Sequence, residues 1–439
     1  MSFPRYLEYR DSGVEWLGEV PGHWDVLALK KSFQIIGGST PKSDMESFWD
    51  GDILWATPSD LSKRDSVYMN DTQRKITAAG LASCGTTLVP ARSIVLSTRA
   101  PIGSLAIADT EMCTNQGCKS LVPLENTSTE YFAYLLSISS TELNIHGKGT
   151  TFLELSGDEL GAFKAPVPPL LEQTQIAAFL DRETAKIDAL VAEQRRLMAL
   201  LKEKRQAVIS HAVTRGLNPN VPLKQSGIEW LGDVPEHWDV LSLRRCSLRV
   251  QTGGTPSSEP PSTDIEDGLV WYTPGDFGDS LRLTISDRKI SRSVAESGEA
   301  KVFPPGCALI VSIGATLGKV GFSEAASSGN QQINAVIPNN RIDGYFLTYS
   351  LLVKTEVMRF LSNASTIGIM NQEKTKEIWL SVPPRHEQEK ITAYLDTELA
   401  KFDTLTTEAQ LAIDLLQERR TTLISAAVTG HIDVRESVS

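Results

Sequence analysis

Two pairs of basic residues recur at matched positions in the two halves of this 439-residue chain. The pairs are Lys30 and Lys31 with Arg244 and Arg245, and Arg74 and Lys75 with Arg288 and Lys289. Lysine and arginine bind phosphate oxygens, which positions a nucleic acid without reading its sequence. The same pairs also suit a solvated surface or ion pairs within the chain, and the sequence favours neither interpretation.

Other polar residues stand where the two halves differ. If the halves bind different base sequences, the contacts that discriminate bases must lie at such positions. Arginine can bond guanine with two N–H groups, and Asn or Gln can bond adenine. The candidates are Arg64, Arg99, Lys148, Arg282, Asn371 and Gln372. Asn115, Gln116, Asn330 and Gln331 are instead shared by the halves, which indicates structural hydrogen bonds or nucleic-acid contacts common to both.

No set of residues predicts catalysis in this chain. The segment GATLGKV (314–320) lacks the spacing and the Ser or Thr of a phosphate-binding loop, and no HExxH or dinucleotide motif occurs. The five cysteines have no partners at zinc-ligand spacing, so we expect buried free thiols, no metal and no cofactor. His23 and His237 are predicted to be structural, because no acid or nucleophile recurs at a spacing that would make a catalytic set.

Composition predicts a soluble, cytoplasmic protein without a membrane-spanning segment. Hydrophobic residues make up 41% of the chain, and no apolar run reaches the length that a bilayer requires. The formal net charge of −11 disfavours strong nucleic-acid binding by the chain alone, because phosphate binding relies on cations.

The polar motifs belong to a repeat that covers the whole chain. SGVEWLGEVPGHWDV, starting at Ser12, returns as SGIEWLGDVPEHWDV at Ser226. The later pairs are GGSTP (37–41) with TGGTP (252–256), ILWATPSD (53–60) with LVWYTPGD (269–276), NQG (115–117) with NQQ (330–332), and VPPLLEQTQIAAFLD (167–181) with VPPRHEQEKITAYLD (382–396). A unit of about 215 residues is used twice, far longer than a solenoid repeat. For Trp16, Trp24, Trp230 and Trp238, core packing is favoured over partner contact.

Each copy begins as mixed β structure and ends as helix. Runs such as SIVLST (93–98) and ALIVSI (308–313) predict strands. From Glu172 and from Glu387 onward, proline is absent for about forty residues and helix formers dominate. The predicted class is α+β, with mixed α/β domains at 1–165 and 216–380 and helical spacers at 166–215 and 381–439.

Apolar residues in both spacers recur in alternating steps of four and three. One series includes Ile176, Leu180, Ile187, Leu190, Leu197 and Leu201, and the other includes Ile391, Leu395, Phe402, Leu405 and Leu416. This period predicts two long helices paired as a coiled coil. Antiparallel pairing would relate the halves by an approximate two-fold axis, as in proteins that read two DNA half-sites. The alternative is an amphipathic helix packed only on its own domain.

The ordered, duplicated motifs SG(V/I)EWLG(E/D)VP.HW, GG.TP, W.TP.D, NQ and VPP…EQ..I..(F/Y)LD resemble the specificity subunit of type I restriction-modification systems. The resemblance covers nearly the full chain. It implies a non-catalytic subunit with two target-recognition domains that read an asymmetric, bipartite sequence in double-stranded DNA.

The resemblance also implies partners that supply the chemistry. Two modification subunits would bring S-adenosylmethionine and methylate adenine, and restriction subunits would use ATP and Mg²⁺ for translocation and cleavage. The alternative is a paired-helix scaffold that docks proteins and binds no DNA. From the charge, we expect the isolated chain to bind DNA weakly.

Overall fold

The computed structural model describes residues 3–62, 66–99, 101–147, 154–278, 280–362 and 368–438. The chain forms two compact units. Unit 1 comprises Met1–Gln194 and Leu411–Ser439, and unit 2 comprises Arg195–Gln410. Each unit therefore combines one globular segment with parts of two long helices.

Unit 1 contains twelve strands in its described residues. They are β1 (Tyr9–Asp11), β2 (Glu19–Pro21), β3 (Asp25–Ala28), β4 (Phe33–Gly37), β5 (Trp49–Ala56), β6 (Tyr68–Met69), β7 (Lys75–Ile76), β8 (Ile94–Ser97), β9 (Leu105–Ala108), β10 (Cys113–Thr114), β11 (Cys118–Pro123) and β12 (Lys164–Val167). The helices are α1 (Pro58–Leu61), α2 (Ala78–Ser83), α3 (Thr129–Ile138), α4 (Ser140–His146), α5 (Gly157–Ala162) and the beginning of α6 (Leu170–Arg215).

Unit 2 repeats this order of elements. Its strands are β13 (Leu223–Gln225), β14 (Asp233–Pro235), β15 (Asp239–Ser242), β16 (Ser247–Thr252), β17 (Gly268–Tyr272), β18 (Lys289–Ser291), β19 (Cys307–Val311), β20 (Val320–Ser323), β21 (Ser327–Gly329), β22 (Ile333–Pro338) and β23 (Trp379–Val382). Its helices are α7 (Leu243–Cys246), α8 (Arg292–Ser297), α9 (Gly344–Leu352), α10 (Thr355–Ser362), α11 (Gln372–Lys376) and most of α12 (Arg385–Val428).

The sheets of the two units share one strand order, except that an isolated bridge between Arg282 and Phe322 in unit 2 stands in place of β6. A five-stranded sheet in unit 1 has the order β4-β11-β8-β9-β6, and its counterpart in unit 2 has the order β16-β22-β19-β20. A three-stranded sheet has the order β10-β5-β7 in unit 1 and β18-β17-β21 in unit 2. In each, the central strand pairs in parallel with one neighbour and antiparallel with the other. The sequence repeat is therefore a repeat of the fold.

The two long helices pair antiparallel within unit 1. The hydroxyl oxygen of Tyr131 lies 3.0 Å from the carbonyl oxygens of both Pro166 and Val428, within hydrogen-bond distance of each, which brings the end of α12 beside the start of α6. Further along, Arg420 of α12 forms an ion pair with Asp188 of α6 at 3.0 Å. Both helices also cover the core of the globular segment, because Leu180 and Ala427 belong to one buried cluster with Phe132.

Unit 2 has the same antiparallel arrangement. The hydroxyl of Ser381 donates to the carbonyl oxygen of Val213 at 3.0 Å, and Arg205 of α6 forms an ion pair with Asp403 of α12. Leu201 and Phe402 share a buried cluster with the globular segment. The α+β class and the paired helices are confirmed, and the helices pack on the globular segments as well as on each other.

The row of side chains through which each long helix packs is called its seam here. The series of residues predicted for the seam was wrong at every second position. Leu190, Leu197 and Leu405 were assigned to it, but their exposed fractions are 52%, 41% and 45%. The side chains one residue later, including Val191, face inward. The actual seam of α6 takes two successive steps of four, from Ile176 through Leu180 to Thr184, before steps of three and four alternate. A series that alternates from its first step therefore runs one residue early at every second position.

Lys354 is a buried lysine of unit 2, and its burial can be tested. Lys354 lies between α9 and α10 with an exposed fraction of 5%, and among the described residues no hydrogen bond or ion pair of its ammonium group is found. Burial lowers the pKa of Lys354 to about 8. The folded state therefore holds a buried charge at neutral pH.

We expect Lys354→Met to raise the free energy of unfolding by roughly 2 kcal/mol below pH 8. Above pH 8 the folded protein releases this proton before the unfolded chain does, so wild-type stability rises with pH and the advantage of the variant shrinks toward pH 10.5. Urea unfolding at pH 7 and pH 10 measures the difference, with exposed Lys390→Met as the control. A gain that is equal at both pH values would contradict the burial of a charged lysine.

Candidate nucleic-acid interface

The motifs shared by the two halves meet at one place in unit 1. Nε1 of Trp55, at the end of β5, donates to the carbonyl oxygen of Ser39 at 3.0 Å. The backbone N–H of Asn115 donates to the carbonyl oxygen of Ala56 at 2.9 Å. Three motifs that are distant in sequence thus form one cluster around the end of β5.

The same cluster forms in unit 2. Nε1 of Trp271 donates to the carbonyl oxygen of Gly254 at 3.3 Å, and the backbone N–H of Asn330 donates to the carbonyl oxygen of Tyr272 at 3.0 Å. We call these two sites the motif clusters. They comprise residues 37–41, 55–60 and 115–117 in unit 1, and residues 252–256, 271–276 and 330–332 in unit 2.

Glycine and threonine residues fix the backbone of each motif cluster. A Cβ atom on Gly38 would lie 2.1 Å from the carbonyl oxygen of Asn115, and one on Gly253 would lie 2.2 Å from that of Gly329, so only glycine fits. After the strand, Thr57 begins a capping box in unit 1, and Thr273 begins the matching one in unit 2. The shared GG.TP and W.TP.D motifs therefore serve local geometry.

A threonine and a glutamine pair across each motif cluster. The hydroxyl of Thr40 donates to Oε1 of Gln116, and the hydroxyl of Thr255 donates to Oε1 of Gln331 at 3.0 Å. All four residues are exposed. Asn115 and Asn330 use their side-chain oxygens internally, accepting from the backbone N–H of Gly117 at 2.9 Å and of Gln332 at 3.0 Å. The asparagines are thus engaged in turn structure, whereas the glutamines face solvent.

Arg74 lies beside the motif cluster of unit 1. Its guanidinium carbon is 3.6 Å from the ring centre of Trp49 and 6.0 Å from that of Trp55. This stack holds the cation in place while the residue stays exposed. The adjacent Lys75 forms an ion pair with Asp71 at 3.1 Å.

The matching residues in unit 2 have simpler surroundings. Arg288 is exposed, and its carbonyl oxygen accepts from the backbone N–H of Trp271 at 3.0 Å. Nζ of Lys289 donates to the carbonyl oxygen of Glu266 at 2.7 Å. In this shared pair, the arginine is the more available cation in both units.

The other shared basic pair lies on short helical turns. Lys30 and Lys31 are exposed in the turn Leu29–Lys31. Arg244 and Arg245 are exposed in α7, where Arg244 forms an ion pair with Glu373 at 2.9 Å. Arg244 is thus an example of an ion pair within the chain, whereas Lys30, Lys31 and Arg245 lie on the exposed surface. Contact of these residues with phosphate stays a prediction.

The candidates for base contacts are largely engaged within the chain. Arg99 forms an ion pair with Glu154 at 3.1 Å. Arg282 forms ion pairs with Glu324 and with Asp396, the latter at 3.3 Å. A base contact by either arginine would require exchange of these partners, and for both it stays a prediction.

The remaining base-contact candidates have structural contacts or lie elsewhere. The side chain of Asn371 caps α11 by accepting from the backbone N–H of Lys374 at 2.9 Å. The amide of Gln372 lies 3.0 Å from the hydroxyl of Thr252. Arg64 and Lys148 lie outside the described residues.

The recurring HW and EQ motifs meet in a polar network in unit 1, in which Tyr6, Trp24 and Glu172 are buried and His23 is exposed. Glu172, near the start of α6, accepts from the hydroxyl of Tyr6 at 2.6 Å and from Nε1 of Trp24 at 3.1 Å. Nε2 of His23 lies 2.8 Å from the same carboxylate. Trp24 is fully buried, so the shared tryptophan and histidine fasten the long helix to the globular segment.

Unit 2 has a reduced copy of this network. Glu387 accepts from Nε1 of fully buried Trp238 at 3.0 Å, and its carboxylate lies 2.8 Å from Nε2 of His237. The core role predicted for Trp24 and Trp238 is confirmed. The structural role of the two histidines stays a prediction, which their contacts with Glu172 and Glu387 support. Trp16 stacks on Phe163. The core role predicted for Trp230 was wrong, because its exposed fraction is 38%.

The described residues contain no cluster of three or more His, Cys, Asp or Glu that could hold a metal ion. Cys113, Cys118, Cys246 and Cys307 are buried free thiols, and Cys84 is half-buried. Burial raises the pKa of Cys113 and Cys246 to about 11, and that of Cys118 and Cys307 to about 12. Protonated, buried thiols are poor nucleophiles and poor ligands. No helix among the described residues is long and apolar enough to cross a bilayer.

Known proteins share the sequence and the fold. The chain is 36% identical over 176 residues to the type I restriction enzyme MjaIX specificity subunit of Methanocaldococcus jannaschii, a match that covers 39% of this chain and 40% of the relative. It is 26% identical over 237 residues to the EcoR124I/EcoR124II specificity subunit of Escherichia coli, covering 52% of this chain and 49% of the relative. These matches thus span about half the length of the curated relatives or less.

Solved structures match over most of the chain. One chain from a study of complex assembly and conformational transition of the type I R-M system superposes with a TM-score of 0.73 at 18% identity, covering 93% of this chain and 98% of that one. The HsdS subunit of Thermoanaerobacter tengcongensis superposes with a TM-score of 0.53 at 16% identity, covering 94% and 98%. These likenesses show the fold.

The family model described as the type I restriction modification DNA specificity domain matches twice, at residues 21–197 and 238–413. Each match contains one globular segment, its motif cluster and the following stretch of long helix. The chain therefore belongs to the type I restriction-modification specificity family and contains two copies of its DNA specificity domain.

Proposed function

We propose that this chain is the DNA-recognition subunit of a type I restriction-modification complex. Each unit would read one half-site of an asymmetric, bipartite target in double-stranded DNA. The observation that supports this most directly is the occurrence of two specificity domains with one topology but different polar loops. The stretch at 59–73 and its counterpart at 275–286 differ in sequence, which suits a pair of half-sites that differ.

The chain is proposed to be non-catalytic. Two modification subunits would supply S-adenosylmethionine and the methylation of adenine, and restriction subunits would supply the ATP- and Mg²⁺-dependent steps. Because the proposed ligand is DNA, we propose a cytoplasmic location for the chain. Because the net charge is −11, the modification subunits would provide part of the electrostatic binding to DNA phosphate.

Exposed leucines on the long helices support docking of the modification subunits there. Leu190, Leu411 and Leu415 in unit 1 have exposed fractions of 52%, 57% and 56%. Large apolar side chains that project from a helix pair into water are typical of surfaces that a partner covers. The same observation suits the alternative function, a helical scaffold that docks proteins and binds no DNA.

Mapping of methylated adenines across the genome, with and without the gene for this chain, tests the proposal. We expect a single bipartite motif to lose methylation when the gene is deleted. Binding of the purified complex to a duplex with that motif should weaken steeply as salt increases. Unchanged methylation, together with salt-independent or absent DNA binding, would instead support the docking scaffold.

A further inference from the structure

The glutamine of each motif cluster is an exposed side chain that the protein holds in one orientation. Because the hydroxyl of Thr40 donates to Oε1 of Gln116, the amide NH₂ group of Gln116 is left to donate outward. Thr255 orients Gln331 in the same way. An exposed glutamine ordinarily samples several rotamers, so a fixed amide is prepared to donate to an acceptor outside the protein.

An exposed arginine adjoins the tryptophan of each motif cluster. Trp55 contacts Ser39 through its Nε1, one residue before Thr40, and its ring lies below the guanidinium of Arg74. In unit 2, Trp271 contacts Gly254 through its Nε1, one residue before Thr255, and its backbone N–H donates to the backbone carbonyl oxygen of Arg288, a residue that is exposed. An oriented N–H donor within a motif cluster and an exposed arginine at the tryptophan of the same cluster suit an anionic ligand such as a phosphate group.

Identity between the two units indicates what kind of acceptor this is. Gln116 and Gln331, like Arg74 and Arg288, are identical although the neighbouring loops differ. Identical side chains cannot by themselves distinguish two different half-sites. They can bind a feature that every half-site has, and the phosphate backbone is that feature.

We propose that the two motif clusters are matched binding sites for DNA phosphate, in which Gln116 with Arg74 and Gln331 with Arg288 hold each half-site in register without reading bases. This inference rests on the proposed function of the chain. Thr40 and Thr255 are positioning residues, because they act through the glutamines. The two motif clusters differ in the surroundings of the arginine. Arg74 stacks on Trp49 in unit 1, whereas Ile265 stands near the matching sequence position in unit 2.

The test uses the complete complex with its modification subunits, and fluorescence anisotropy on two duplexes. One duplex has the sequence that the complex methylates, and the other has a scrambled sequence. Gln116→Glu and Gln331→Glu keep the side-chain shape but replace a donor with a negative charge. We expect each to weaken binding to both duplexes by the same factor, about tenfold. Gln225→Glu, an exposed residue of β13, is the control for the charge change.

Further variants separate positioning from charge. Thr40→Val should weaken binding less than Gln116→Ala, and the double variant should bind as weakly as Gln116→Ala alone. Gln116→Ala should leave the salt dependence unchanged, whereas Arg74→Ala should lower its slope by about one. Arg74→Lys should cost more affinity than Arg288→Lys, because lysine cannot form the planar stack on Trp49.

Thermal unfolding checks that each variant is folded. The phosphate sites are overturned if folded glutamine variants bind both duplexes as wild type does, or if they change only the preference between the duplexes, which would indicate base reading. A wild-type complex that binds neither duplex would instead contradict the proposed function.

Discussion

Replacing Glu172 with alanine is expected to lower the free energy of unfolding of unit 1 by about 3–5 kcal/mol. The carboxylate has an exposed fraction of 6% and accepts hydrogen bonds from Tyr6 and Trp24. Its removal leaves both donors buried without an acceptor. Glu172→Gln keeps the volume and one acceptor oxygen, so we expect a loss of about half that size.

The equivalent residue in unit 2 provides a matched control. Glu387 bonds to Trp238 and His237, but its side chain has an exposed fraction of 27%. Water can therefore replace part of the hydrogen bonding that Glu387→Ala removes. We expect this variant to lower the free energy of unfolding by about 1–2 kcal/mol. Hydrogen exchange of segments from each unit assigns the losses separately. Equal losses in the two variants would contradict the dependence on burial.

Replacing Leu411 and Leu415 together with glutamate is expected to weaken binding of a modification subunit more than a hundredfold. Both leucines are more than half exposed on α12, so the unbound chain should keep its stability. In the complex the two charges would be buried against an apolar surface, which costs several kcal/mol. Analytical ultracentrifugation of the reconstituted complex, with thermal unfolding of the isolated chain, measures the two effects.

Leu248→Glu is the control for this surface. Leu248 lies on β16 with an exposed fraction of 73%, so the substitution makes the same chemical change away from the long helices. It should leave assembly unchanged. If the double variant assembles normally, or if Leu248→Glu impairs assembly equally, the helices are not the docking surface.

The repeat and the long helices were predictable because both leave periodic patterns in the sequence. The phase of the helix seam was not, because the seam begins with two successive steps of four before it alternates, and both phases of the alternation contain similar numbers of apolar residues. Arg205 reaches an ion pair with Asp403, a contact that depends on the antiparallel register. Periodicity reveals that a helix has an inward face, but a difference of one residue in phase changes which side chains are assigned to that face.

The candidate site was predictable only in part. Comparison of the halves identified the shared arginines and glutamines. It could not show that Thr40 orients Gln116, because the two residues are 76 positions apart and meet only through sheet pairing. The stack of Arg74 on Trp49 gave no signal either, because no aromatic residue stands at the matching place in unit 2. Thr40 and Thr255 both lie in the GG.TP motif, and their recurrence with the glutamines is the clue that could have linked them.

Unit 1 is assembled from stretches of chain on either side of unit 2. Its core needs Ile424, Ala427 and Val428, and the Tyr131 hydroxyl bonds to a residue 297 positions away. Unit 2 is continuous in sequence, so on the ribosome it can complete its core while unit 1 still waits for residues 411–439. During that interval the apolar face of α6 near Leu180 is not covered by α12. We therefore expect nascent unit 1 to bind chaperones, and to be the first part of the molecule to aggregate when translation stalls.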